Sequence, residues 1–186
     1  KVFGFKGASF EFLDYKLENE QSFDLLGIKF NVIEVPGHTL DHIAYYAEIN
    51  TPDNQVQPIL FCGDTLFSAG CGRLFEGTPA QMHASLQKLS ALPENTIVYS
   101  GHEYTSTNAK FALTIEPTNA ALISRSEATQ TAREAEAPTV PSSLKLERAT
   151  NPFLRAHIPQ IAAHLGMQGA SEVDVFTEIR KRRDSY

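Results

Sequence analysis

Two hydrophobic periods divide the chain. Up to about residue 102, apolar residues alternate with polar ones or gather in short continuous runs, the spacing of strands; after Thr105 they recur every three to four residues, the spacing of helices. Ile28-Lys29-Phe30-Asn31-Val32 alternates as a half-buried strand does, and the strand is read from Ile28 to Val35. Ile43 to Ala47 and Ile59 to Cys62 are more continuously apolar, as in strands covered on both faces, and Ile97 to Ser100 reads as a further strand. One helix is announced in this half by Thr78-Pro79-Ala80-Gln81, with Thr as N-cap, Pro at the first helical position and Gln closing a capping box. Met82, Leu86 and Leu89 form its apolar stripe, and His83 is read as a helix-surface histidine beside it.

In the second half, Asn108 to Ile115 and Thr118 to Ala135 read as two helices separated at Pro117. Ala137-Pro138-Thr139-Val140-Pro141-Ser142-Ser143 reads as a linker. Asn151-Pro152 breaks the next segment, and Ile158, Ile161, Ala162 and Leu165 predict a short helix ending at Gly166. The final helix starts at Ser171, with Asp174 as its capping partner. At about 100° per residue, Val173, Phe176, Arg180 and Arg183 fall on one stripe expected to dock on the body, with Lys181 and Arg182 pointing away. The pattern predicts an α/β first domain over 1–104 and an all-helical one over 105–186.

Bulk properties narrow the functional classes. A hydrophobic content of 42% with 20% charged residues is that of an ordinary soluble globular protein. The net charge of −6 argues against a general nucleic-acid binder. No apolar run approaches a membrane span. Cys62 and Cys71 make no disulfide framework; Cys62 is expected to pack as a small hydrophobe, and both fit a reducing compartment, with the cytoplasm as the expected location.

Three phrases carry the chemistry: Pro36-Gly37-His38-Thr39, Gly63-Asp64-Thr65 and Gly101-His102-Glu103-Tyr104. Each follows a predicted strand and puts one potential metal ligand just past its end, beside a glycine. A single histidine so placed is usually structural. Two imidazoles and a carboxylate sharing one strand–Gly–ligand pattern point to a divalent metal such as zinc, manganese or iron.

In this order, and with Leu60-Phe61-Cys62-Gly63-Asp64-Thr65-Leu66-Phe67 between, the phrases resemble the metallo-β-lactamase superfamily. Ala69-Gly70-Cys71-Gly72-Arg73-Leu74-Phe75-Glu76-Gly77-Thr78, Gly101-His102-Glu103-Tyr104-Thr105 and Asn151-Pro152-Phe153-Leu154-Arg155 are similar to the glyoxalase II (hydroxyacylglutathione hydrolase) family within it. The resemblance implies an αββα sandwich followed by an all-α domain. It also implies hydrolysis of glutathione thioesters, S-D-lactoylglutathione above all, in a monomeric protein that contacts neither nucleic acid nor membrane. Two divalent metal ions, zinc first and iron or manganese next, are implied at His38, Asp64 and His102, with Asp64 bridging them at the catalytic centre. Arg73, Phe75, Tyr104, Arg180 and Arg183 are implied to grip glutathione, whose carboxylates call for cations. Phe75 stands where the family commonly has Tyr, a lost hydroxyl worth about 1 kcal/mol; Asp41 stands where it often has Gly. His42 is expected to support His38 rather than to bind metal.

The superfamily's leading Thr-His-x-His-x-Asp-His motif is absent, and no histidine precedes His38. The expectation is a chain lacking the N-terminal part of the first domain, with poor metal binding and little activity alone. Two other readings compete: a persulfide dioxygenase with one iron, and a catalytically inactive fragment of the same fold.

Overall fold

The computed structural model describes residues 1–186. Strands β1 (Phe3–Phe5) and β2 (Tyr15–Leu17) form a small parallel ribbon. Strands β3 (Ser22–Leu25), β4 (Ile28–Glu34), β5 (Ile43–Asn50) and β6 (Val56–Gly63) follow as an antiparallel meander. A short hairpin of β7 (Leu66–Phe67) and β8 (Gly70–Cys71) leads to helix α1 (Pro79–Ser90), after which β9 (Ile97–Ser100) returns parallel to β6. Helices α2 (Thr105–Ile115) and α3 (Ala120–Glu134), strand β10 (Ser142–Ser143), and helices α4 (Leu144–Thr150), α5 (Pro159–His164) and α6 (Glu172–Asp184) complete the chain. The six-stranded sheet runs β10-β9-β6-β5-β4-β3.

The two faces of this sheet differ. In-register Tyr46, Leu60 and Val98 turn toward one hydrophobic cluster, which continues through Leu86 and Leu89 of α1, Phe111 of α2 and Phe176 of α6. Both parts of the chain therefore share one core. The opposite face carries an aromatic ladder: Phe23 packs on Phe30, Phe30 on Phe61 and Phe61 on Tyr99, with centroids 5.5, 6.3 and 5.1 Å apart. Phe61 and Tyr99 remain 40% and 38% exposed, so this face is only partly covered.

Local signals explain where elements begin. Thr78 caps α1, its Oγ1 accepting from the Gln81 N–H while the Gln81 side chain accepts from the Thr78 N–H. Ser171 caps α6 through the Asp174 N–H, as its spacing predicts. Four expectations are corrected. The 137–143 stretch is not only a linker, because Ser142 and Ser143 pair with β9 as its outer strand. His83 is buried, not on the surface: its ring meets Phe176 edge-on at 5.5 Å where α1 packs against α6. The docking stripe of α6 is Val175, Phe176, Ile179 and Arg180, with Val173 only half-buried, because the helix is rolled toward α1. The first helix after residue 102 begins at Thr105, not Asn108.

A buried carboxylate joins the helical part to the sheet. Glu147 in α4 is fully buried and accepts from Arg125 of α3, the Ser142 hydroxyl, the Asn151 amide and the Ala69 N–H. Arg125 also donates to Thr150 and Ser68 at 2.6 and 2.7 Å. Glu147→Ala strands a buried guanidinium and should cost about 3–5 kcal/mol in urea unfolding. The open aromatic face predicts self-association: Phe61→Lys should lower light scattering and dye binding of the 186-residue chain at high concentration, with its melting temperature nearly unchanged.

Candidate metal centre

Strand directions bring the three phrases together. Because β4 and β6 each run antiparallel to β5, and β9 runs parallel to β6, the C-terminal ends of β4, β6 and β9 lie on one edge of the sheet. His38, Asp64 and His102 follow those ends. His38 Nε2 lies 3.3 Å and His102 Nε2 3.5 Å from the same oxygen, Oδ2 of Asp64.

The turns are tight for a reason. Gly63 has φ of +49°, and a Cβ there would meet His42 Nε2 at 2.6 Å. At Gly101 a Cβ would lie 2.5 Å from Asp64 Oδ1, so a side chain would push into the carboxylate. The Gly101 N–H donates to the Gly63 carbonyl at 2.9 Å, tying the Asp64 and His102 turns together.

His38 is oriented by its other nitrogen. Nδ1 lies 2.8 Å from the Arg73 carbonyl, which only accepts, so Nδ1 carries a proton and Nε2 is the nitrogen turned toward Asp64. A cation between them would meet a donor atom on either side. Atoms held at about 2.1 Å around a tetrahedral ion lie roughly 3.4 Å apart, close to both separations seen here. Imidazole, carboxylate and imidazole thus fit a divalent cation. The set is partial, since no group of three or more His, Cys, Asp or Glu side chains is gathered into one ready coordination sphere.

His42 serves the site from behind. Its Nε2 accepts from the Asp64 N–H at 3.1 Å and is therefore unprotonated, and burial lowers its pKa. Asp41 accepts from the Thr39 hydroxyl at 2.7 Å, which steadies the loop without glycine. The thiol of Cys71 is wholly enclosed, and burial pushes its pKa up to about 11, which disfavours the thiolate a metal would need. Cys62, likewise buried, is pushed up to about 12.

A cavity of about 370 Å³ opens beside these ligands and gathers Arg73, Phe75, Tyr104, Arg180 and Arg183 along its lining. Phe75 tilts against the His38 ring at 4.8 Å, and Tyr104 stacks on the His102 ring at 5.2 Å. Arg73 is largely exposed, whereas Arg180 is buried and donates to the Cys71 carbonyl at 3.1 Å and to Asp184 at 2.9 Å. Arg183 lies over the Phe111 ring and donates to Asn108 Oδ1 at 3.3 Å, and burial lowers its pKa. Asn108 and Phe67 also line the cavity and were missed. Asn108 lies one turn beyond Tyr104, bonded to its carbonyl, so placing the helix start at Thr105 would have found it.

The metallo-beta-lactamase superfamily model matches residues 3–102. The chain belongs to that superfamily. Residues 103–186 match the model described as the hydroxyacylglutathione hydrolase C-terminus. The hydroxyacylglutathione hydrolase of Roseobacter denitrificans is 56% identical over 174 residues, covering 94% of this chain and 66% of that protein. Its counterpart in Xanthomonas campestris is 53% identical over 165 residues, 87% of this chain and 61% of that protein. The chain thus spans somewhat less than two thirds of these curated relatives. Among solved structures, ETHE1 from Myxococcus xanthus aligns with a TM-score of 0.59 at 22% identity, covering 97% of this chain and 56% of that one. A metallo-beta-lactamase from Staphylococcus aureus aligns at 0.58 and 18% identity, covering 98% of this chain and 49% of that one. At such identities the likeness concerns the fold. Membership of the superfamily implies divalent metal binding.

Gly101→Ala should weaken zinc or manganese binding about tenfold or more by displacing the Asp64 carboxylate, with the far-ultraviolet spectrum unchanged; competition with a chelating dye measures it.

Proposed function

We propose that this chain carries the substrate arm and part of the dinuclear metal site of a glutathione thioester hydrolase, acting on S-D-lactoylglutathione and related 2-hydroxyacyl thioesters. The observation that carries the reading is the cavity itself: three arginines and three aromatic side chains line the same space as His38, Asp64 and His102. Cations in the same cavity as a metal centre suit a ligand with an acidic peptide at one end and a hydrolysable bond at the other. The match of residues 103–186 and the relatives' names support the same reading.

His38 and His102 would each hold one divalent cation, with Asp64 shared between them, and zinc suits the imidazole and carboxylate donors best. Bound metal supplies a hydroxide near neutral pH and polarises the thioester carbonyl. The chain's own residues do the rest. Arg73 keeps His38 in the tautomer that presents Nε2, through its carbonyl, while its guanidinium offers charge to a substrate carboxylate. Phe75 packs against the His38 ring and Tyr104 stacks on the His102 ring, which steadies the two imidazoles. The departing thiolate needs little acid assistance, since a free thiol has a pKa of about 8.5. Two enclosed, unpaired cysteines suit a reducing compartment, and we place the protein in the cytoplasm.

Each cation would find two of the candidate donors in this chain, where a catalytic zinc holds about three. The 186-residue chain alone should therefore bind metal weakly and hydrolyse slowly. Thiol release from S-D-lactoylglutathione by a metal-loaded form that carries the superfamily's leading histidine motif tests the assignment. Release that is lost in Asp64→Ala, together with that variant's metal, is the expected result. Oxygen uptake with glutathione persulfide in place of thiol release would overturn it.

A further inference from the structure

One carboxylate, paired with two arginines of the cavity lining, has no place in the reading above. Asp184 ends α6, where the exposed carbonyls of the helix disfavour a negative charge. Its pairing with Arg180 also runs in the less favourable order, cation before anion along the helix. Neither placement is explained by helix stability. The explanation lies in its partners: Asp184 Oδ1 is 2.9 Å from Arg180 and 3.4 Å from Nε of Arg73, and it is the ion-pair partner Arg73 has.

The three groups differ in freedom. The Arg180 side chain is 7% exposed and otherwise committed to the carbonyls of Cys71 and Gly72, so it stays where it is. The Arg73 and Asp184 side chains are 60% and 39% exposed and are free to move apart. We propose that Asp184 is a stand-in for a ligand carboxylate. It holds Arg73 until an acidic group of the incoming molecule takes its place, and so tempers the affinity for carboxylate-bearing ligands, which must displace it. A neutral ligand leaves the Arg73–Asp184 pair in place. The exchange concerns carboxylates in general; only the identity of the carboxylate as part of a glutathione thioester rests on the proposed function.

Asp184→Asn keeps the shape and an acceptor for Arg180 but removes the competing charge. Binding of S-methylglutathione, its diester and N-acetylglycinate to wild type and variant is measured by calorimetry or NMR titration. The two carboxylate ligands should bind Asp184→Asn about two- to fivefold more tightly, the worth of an exposed ion pair, and the diester should not change. The gain should vanish in an Arg73→Met background. Equal affinities of wild type and variant for both carboxylates would overturn the proposal, as would a gain shared by the diester or one that survives Arg73→Met. Tightening of N-acetylglycinate by a protein that binds no S-methylglutathione would uphold the exchange and sink the thioesterase reading. Unchanged carboxylate affinities with firm S-methylglutathione binding would do the reverse.

Discussion

The buried carboxylate of Glu147 is the constraint on which the arrangement of the molecule turns. A charge without solvent must be met by donors, and those donors come from Arg125 in α3, Ser142 in the edge strand, Asn151 after α4, and the Ala69 backbone between β7 and β8. Asn151 extends the network by donating to the carbonyls of Phe67 and Gly70. The loop that begins at Asp64 is thereby clamped to the helical part from below. Each member of such a network is satisfied only when the others are in place, so it fixes one mutual position of sheet and helices.

From that clamp the site follows by topology and small turns. Parallel β4, β6 and β9 deliver His38, Asp64 and His102 to one edge, and α6 brings its arginines down to the same edge by packing Phe176 into the common core. Arg180 meets the carbonyls of Cys71 and Gly72, and the next carbonyl, that of Arg73, orients His38. Residues 71–73 are thus a shared segment, touched by His38 on one side and by Arg180 of α6 on the other.

Much of this was legible in the residues. The capping box at Thr78, the strand at Ile97–Ser100, the helix start at Ser171 and the three strand–Gly–ligand phrases are local statements, and local chemistry decides them. What could not be read depends on partners far away along the chain. Ser142-Ser143 is too short and too polar to announce a strand, and it becomes one because β9 offers an unpaired edge. His83 looked like a surface residue because nothing in α1 reveals that α6 will cover it. Nothing in the sequence singles out Glu147 or Asp184, since neither Arg125 nor Arg73 lies near them along the chain. The shared pattern picks out His38, Asp64 and His102 as candidate ligands, and the structure adds that both imidazoles face a single oxygen of Asp64.

The long reach of the clamp also says when the site comes into being. The bond from Ala69 to Glu147 spans 78 residues, and that from Arg180 to Cys71 spans 109. Closing loops of that length is slow, and such contacts form after local helices and hairpins. A nascent chain can pair β4, β5 and β6 early. Its Asp64 loop stays unanchored until α4 has emerged, and its arginine wall is missing until α6 has docked. The final shape of the site is therefore set by the contacts that close the longest loops.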